Sequence, residues 1–187
     1  MNTPAECIEE AERARREGRL DDAWRAHAEA AALSRAAGAR RSLIHALKGL
    51  GQIERDRGNP DPALAAYQEA ATLAREECDS CLLAHTIRHV GDVLRHLGRL
   101  TDAEASYTEA LALYRGTPDA PPLDVANAIR AMAVLRDEQG ACGDALPLWE
   151  KACAIYASLG VQAGVAEAKA RMTRSRAGSG SDQPRRG

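Results

Sequence analysis

Gly18, Gly58, Gly98 and Gly140 divide the chain at separations of 40, 40 and 42 residues, each between two stretches patterned as helix. A repeat of this length commits the chain to stacking one supersecondary unit upon its own copies. Each glycine is followed by a run that reads as the start of the next helix: Arg19-Leu20-Asp21, Asn59-Pro60-Asp61, Arg99-Leu100-Thr101 and Ala141-Cys142-Gly143. Other positions keep the same offsets. Seven residues before the glycines stand Ala11, Gly51, Gly91 and Ala133; five after stand Ala23, Ala63, Ala103 and Ala145; twelve after stand Ala30, Ala70, Ala110 and Ala152. Small residues at fixed points on both arms of a helical hairpin let the two axes approach to about 8–10 Å. Nine after each glycine come His27, Tyr67, Tyr107 and Trp149, rings suited to filling the gap between a hairpin and its neighbour.

Phenylalanine is absent and aromatics make up 3% of an alanine-rich chain, which favours closely packed helices over a β-sandwich core. The expected fold class is therefore all-α, with helices near 4–17, 20–37, 40–57, 61–77, 80–97, 101–115, 122–139 and 144–159. Asp61-Pro62 reads as an N-cap with proline at the first helical position, and Thr101-x-x-Glu104 as a capping box. With a helix starting at Asp144, Pro147 falls in the first turn, where a missing N–H costs little. The segment Gly116-Thr117-Pro118-Asp119-Ala120-Pro121-Pro122 is a connection. Past Gly160, Val161, Val165, Ala168 and Met172 share one helical face while Glu167, Lys169, Arg171 and Arg174 are expected to face away, as in a terminal helix that seals a stack. The expectation is a single domain over 1–176, with units at about 4–38, 40–78, 80–116 and 122–160, a capping helix over 161–176 and a disordered tail over 177–187.

The registers resemble the tetratricopeptide repeat, whose signature runs Trp-x2-Leu-Gly-x2-Tyr and then Ala-x3-Phe. The third unit carries it best: Val90-Gly91-x2-Leu94, the turn at Gly98, and Ala103-x3-Tyr107. The period exceeds the family's usual 34 residues and is similar to the long repeats of kinesin light chains; the motif's terminal proline is missing. The resemblance implies an α-solenoid, a right-handed superhelix of four antiparallel helix pairs plus the capping helix. The block His85-Thr86-Ile87-Arg88-His89-Val90-Gly91-Asp92 also looks like the central repeat of small bacterial proteins of this type.

A formal net charge of −2 argues against a nucleic-acid binder that relies on bulk positive charge. Met1-Asn2-Thr3-Pro4-Ala5-Glu6 lacks the cationic and apolar regions of a secretory signal, and no apolar run approaches the roughly 20 residues that span a bilayer. A cytoplasmic protein with no membrane role is expected, its five cysteines reduced.

In such repeats the first helix of each pair lines the concave face. There Lys48, Arg88 and Arg130 fall in register as a cationic row, with His45, His85 and Asn127 as a second row beside it. Arg and Lys with amide and imidazole donors suit a carboxylate or phosphate. The arrangement is similar to the carboxylate clamp of chaperone-binding tetratricopeptide domains: Lys48 matches the clamp's first lysine, while Gln52 and His89 stand where the clamp has asparagines. The function expected is an adaptor that binds an acidic peptide or carboxylate-bearing protein through His45, Lys48, Gln52, His85, Arg88, His89, Asn127 and Arg130. Asp92 is expected to hold Arg88 or Arg95 in place. A self-associating scaffold is the alternative, with monomer or weak homo-oligomer both open. A lesser one is metal binding through Cys78-x2-Cys81-x3-His85-x3-His89. No nucleophile, phosphate loop or cofactor signature accompanies the histidines, so neither an enzyme nor a cofactor is expected.

Overall fold

The computed structural model describes residues 2–179. Among them are nine helices and no strand: α1 (Pro4–Arg16), α2 (Leu20–Ala37), α3 (Arg40–Asp56), α4 (Pro60–Glu76), α5 (Ser80–His96), α6 (Leu100–Arg115), α7 (Pro122–Glu138), α8 (Cys142–Ser158) and α9 (Gln162–Ser179). Contacts run between consecutive helices, with α1 also touching α3 and α5 touching α7. That is an all-helical solenoid of four hairpins followed by a single helix. Of the tail expected from 177, residues 180–187 lie outside the described residues.

The repeated glycines earn their period through backbone conformation. Gly18, Gly58, Gly98 and Gly140 take φ between +73° and +79°, a left-handed turn that costs a side chain about 1–2 kcal/mol. At each, the next residue's N–H reaches back to the last helical turn, as from Arg19 to the Ala14 carbonyl at 2.9 Å, which satisfies an orphan carbonyl. Cys78 adopts the same conformation, φ +53°, at the turn into α5 without being glycine.

The small positions and the rings are two halves of one contact. A Cβ at Gly51 would stand 2.8 Å from Tyr67, and one at Gly91 2.6 Å from Tyr107, so glycine is what lets each ring lie flat against the facing helix. His27, Tyr67, Tyr107 and Trp149 are all buried, as are the alanines on the other two registers. His27 packs against Gly49.

Helix starts depart from the sequence reading. α4 begins at Pro60 rather than behind an Asp61 cap, α6 begins at Leu100, and neither N-cap residue, Asn59 or Arg99, makes a side-chain capping bond. Glu104 is no capping-box partner, because Arg136 of α7 takes both of its oxygens at 2.6 and 3.0 Å. α8 starts at Cys142, so Pro147 lies inside the helix rather than in its first turn. Proline has no N–H to donate to the Gly143 carbonyl four residues back, so that helical bond is missing. The side-chain caps that do form are Thr3, in a capping box with Glu6, and Asp79, which accepts the Leu82 N–H at 3.0 Å.

α9 caps the stack through Ala168 and Met172 against Trp149, and through Val161 and Val165 against Tyr156. Glu167 and Arg171 do not face away. Glu167 accepts two bonds from Arg130, and Arg171 lies 5.8 Å above the Trp149 ring and 3.6 Å from Asp137. Long side chains at the edge of a packed face bend back toward charges that the neighbouring helix leaves half-buried.

Candidate functional site

Residues of α1, α3, α5 and α7 line an open groove of about 600 Å³, so the first helix of each hairpin does form the concave wall. Its lining includes Ile8, Glu9 and Glu12 from α1, His45 and Lys48 from α3, His85 from α5 and Asp124 from α7. The floor continues into a polar hub on α5.

Asp92 is the centre of that hub. It accepts 2.7 Å from Arg88 Nη1 and 2.9 Å from the Tyr107 hydroxyl, with His89 Nδ1 at 3.5 Å and Arg55 Nη1 at 3.7 Å. Burial would raise its carboxyl, but His89, the Arg88 charge and the Tyr107 hydroxyl hold it at about 2. Arg88 Nη2 lies 2.6 Å from His89 Nε2; guanidinium only donates, so Nε2 is the acceptor and the ring proton sits on Nδ1. The His89 ring stacks on Tyr67 at 5.1 Å, and burial keeps it neutral, at about 4. Asp92 thus fixes Arg88; Arg95 turns instead to Glu138 on α7.

The three cations of the expected row have different fates. Arg88 is committed to Asp92, and Arg130 to Glu167 of α9 in a two-pronged pair at 2.6 and 2.9 Å. Lys48 is half-buried and makes no hydrogen bond or ion pair among the described residues; its ammonium is pushed down chiefly by desolvation. In the second row His45 is exposed on the groove wall, His85 Nδ1 lies 3.3 Å from Asp124, and Asn127 Oδ1 accepts from the Tyr156 hydroxyl at 2.8 Å. Gln52 is engaged by Asp56 and Arg55 at 2.7 Å each and stays out of the groove lining.

Sequence reasoning missed Asp124, Tyr107 and Glu167 as partners of the site, and Glu9 as a wall residue. Glu9 carries a signal, since it lies four residues after Ala5 and three before Glu12, one helical turn from each of two other α1 residues in the lining. The others meet their partners only through the rotation between hairpins. Near Arg88, the Tyr67 and Tyr114 hydroxyls and Arg88 Nε are buried without hydrogen-bond partners.

The metal alternative is not supported. Among the described residues no group of three or more His, Cys, Asp and Glu is placed to hold a metal ion. Cys78 sits exposed at the left-handed turn, while His89, three helical turns along α5, is stacked on Tyr67. No helix among the described residues is long and apolar enough to cross a membrane.

A stack of helical hairpins with an open groove along its first helices defines an architecture: the helical-repeat solenoid. Residues 82–158 match the tetratricopeptide repeat family, and the described residues share the fold of solved tetratricopeptide-like repeat structures. A search of curated proteins by sequence finds no match. Among solved structures, the nearly identical repeats of a kinesin light chain from Podospora anserina superpose with a TM-score of 0.75 at 15% identity, covering 98% of this chain and 91% of that one. A Rap protein complexed with competence and sporulation factor gives 0.80 at 13% identity, over 92% of this chain and 51% of that one. Aspartyl phosphate phosphatase F from Bacillus subtilis gives 0.79 at 15%, over 89% and 43%. The chain therefore spans nearly all of the first and about half of the other two.

Proposed function

We propose that the protein is an adaptor whose concave groove takes up a peptide segment of a partner protein, with a carboxylate of that segment seated on Lys48. The observation that carries this is the asymmetry among the three cations of the expected row, of which Lys48 lines the groove and Arg88 and Arg130 do not. Arg88 and Arg130 already hold carboxylates by direct hydrogen bonds, whereas Lys48 is desolvated and the Asp124 charge acts on it only through space, with no hydrogen bond or ion pair among the described residues. An unpaired, half-buried cation is costly until an anion reaches it. His45 stands beside it on the groove wall. His85 stands in the groove wall, while Arg88, His89, Gln52, Asn127 and Arg130 lie outside its lining and brace the surrounding helices through the bonds described above. The likeness to a Rap protein complexed with competence and sporulation factor supports uptake of a partner by this fold.

The test is affinity capture from native lysate with wild-type protein and Lys48→Met, which preserves the stem and removes the charge. A partner retained by wild type and reduced about tenfold by the variant supports the reading, since losing a charged contact costs about 1.4 kcal/mol or more. Equal retention refutes it.

A further inference from the structure

The charges lining the groove separate into a paired set and an unpaired set, and the unpaired set is ordered across its width. Arg41 is held by Asp79 at 2.8 Å, and His85 faces Asp124 at 3.3 Å. What remains without hydrogen bond or ion pair among the described residues is Glu9 and Glu12 on α1 and Lys48 on α3. The α1 wall is therefore negative, and the adjoining α3 contributes a cation that the Asp124 charge offsets through space without contact. His45 shares this lining and feels the Lys48 charge and, with opposite sign, the Glu12 charge.

This order excludes some ligands that Lys48 alone would accept. A segment carrying only carboxylates meets Glu9 and Glu12 as it crosses toward α1, and like charges juxtaposed across an interface oppose binding. A segment whose sign changes on the way meets opposite charge on both sides. First helices of successive hairpins lie about 8–10 Å apart, and an extended chain advances about 3.3 Å per residue. The two charges of a matching ligand thus lie about three residues apart.

Resting on the adaptor reading above, we propose that the groove selects a peptide of alternating sign, with a Lys or Arg against Glu9 and Glu12 of α1 and an Asp or Glu about three residues away over Lys48. Orientation follows from the same order: the basic residue marks the α1 end of the groove and the acidic residue the α3 end.

The experiment is selection of a phage-displayed random decapeptide library on wild-type protein, on Glu9→Gln/Glu12→Gln and on Lys48→Met. Circular dichroism verifies that all three are folded; Glu9 and Glu12 are exposed, so their exchange leaves the helix intact. On wild type, basic and acidic residues should be enriched together at a spacing of about two to four. The basic preference should disappear on the double glutamine variant and the acidic preference on Lys48→Met. Synthetic peptides from the wild-type pool should bind the glutamine variant about tenfold more weakly at low salt. Acid-rich peptides with no basic partner, binding wild type and the glutamine variant equally, would overturn the charge order and leave the adaptor reading standing. Peptides with no carboxylate preference and no response to Lys48→Met would overturn the adaptor reading's anchor as well. No enrichment on any of the three proteins would remove both.

Discussion

Replacing Asp92 by Asn should be among the most damaging single-atom changes this chain can undergo. Asp92 is 15% exposed, and Arg88, its main partner, is 12% exposed. With its carboxyl held at about 2 against an ordinary 3.8, and 1.36 kcal/mol for each pH unit between folded and unfolded values, the charge contributes about 2 kcal/mol at neutral pH. The amide also leaves the Arg88 guanidinium buried opposite a neutral group, and breaking a buried pair from one side costs about 3–5 kcal/mol. The two figures describe one interaction from two directions, so the expected loss is about 2–4 kcal/mol. The sign of its pH dependence follows from the depressed value: the contribution is complete above the unfolded pKa of 3.8 and is lost as pH falls through that value toward 2. By pH 3 about half remains. Urea unfolding of wild type and Asp92→Asn, followed by circular dichroism at pH 7, 5 and 3, reads this directly. A gap below about 0.5 kcal/mol at pH 7, where ordinary surface substitutions fall, would refute the hub. So would a gap that does not narrow between pH 5 and 3.

Acid should act earlier through the histidines. Burial depresses His27 and His89 from 6.5 to about 4, so the neutral-ring stability is complete above 6.5 and drains away as pH falls toward 4. That amounts to up to about 3 kcal/mol per ring. Thermal unfolding between pH 7 and 4.5 should show a falling midpoint, less steep in His89→Gln, and a flat profile would contradict the burial argument. Gly91→Ala should cost about 1–3 kcal/mol by driving a methyl into Tyr107. Gly143→Ala, whose new methyl meets nothing within 4 Å, should be neutral or gain up to about 1 kcal/mol; equal effects in chemical denaturation would count against the ring-on-glycine contact. Cys78→Gly should stabilise by about 1 kcal/mol by relieving the left-handed turn at φ +53°; a destabilised variant would mean that the thiol's own contacts outweigh the backbone term.

The fold was legible because backbone geometry repeats with the sequence. Gly18, Gly58, Gly98 and Gly140 announce left-handed turns, and Gly51 with Tyr67 or Gly91 with Tyr107 announce a close approach at a constant separation. Helix starts were less legible. α4 and α6 begin without side-chain caps, held by the tight turn before them, so Asp61 and Thr101 looked like signals and were not. At the groove, counting along the chain placed Lys48, Arg88 and Arg130 on neighbouring first helices but said nothing about their partners. Asp92 is visible as an i,i+4 neighbour of Arg88. Glu167 reaches Arg130 only because α9 docks on the last hairpin, a relation set by packing rather than by spacing.

Because each hairpin touches only its neighbours, the stack resists unfolding one joint at a time, and its ends can open while its middle stays closed. A peptide lying across α1, α3, α5 and α7 would bridge all the joints between hairpins at once. It would act as a splint, converting a row of separately hinged segments into one rigid piece and raising the unfolding temperature most at the joints farthest from the Asp92 hub.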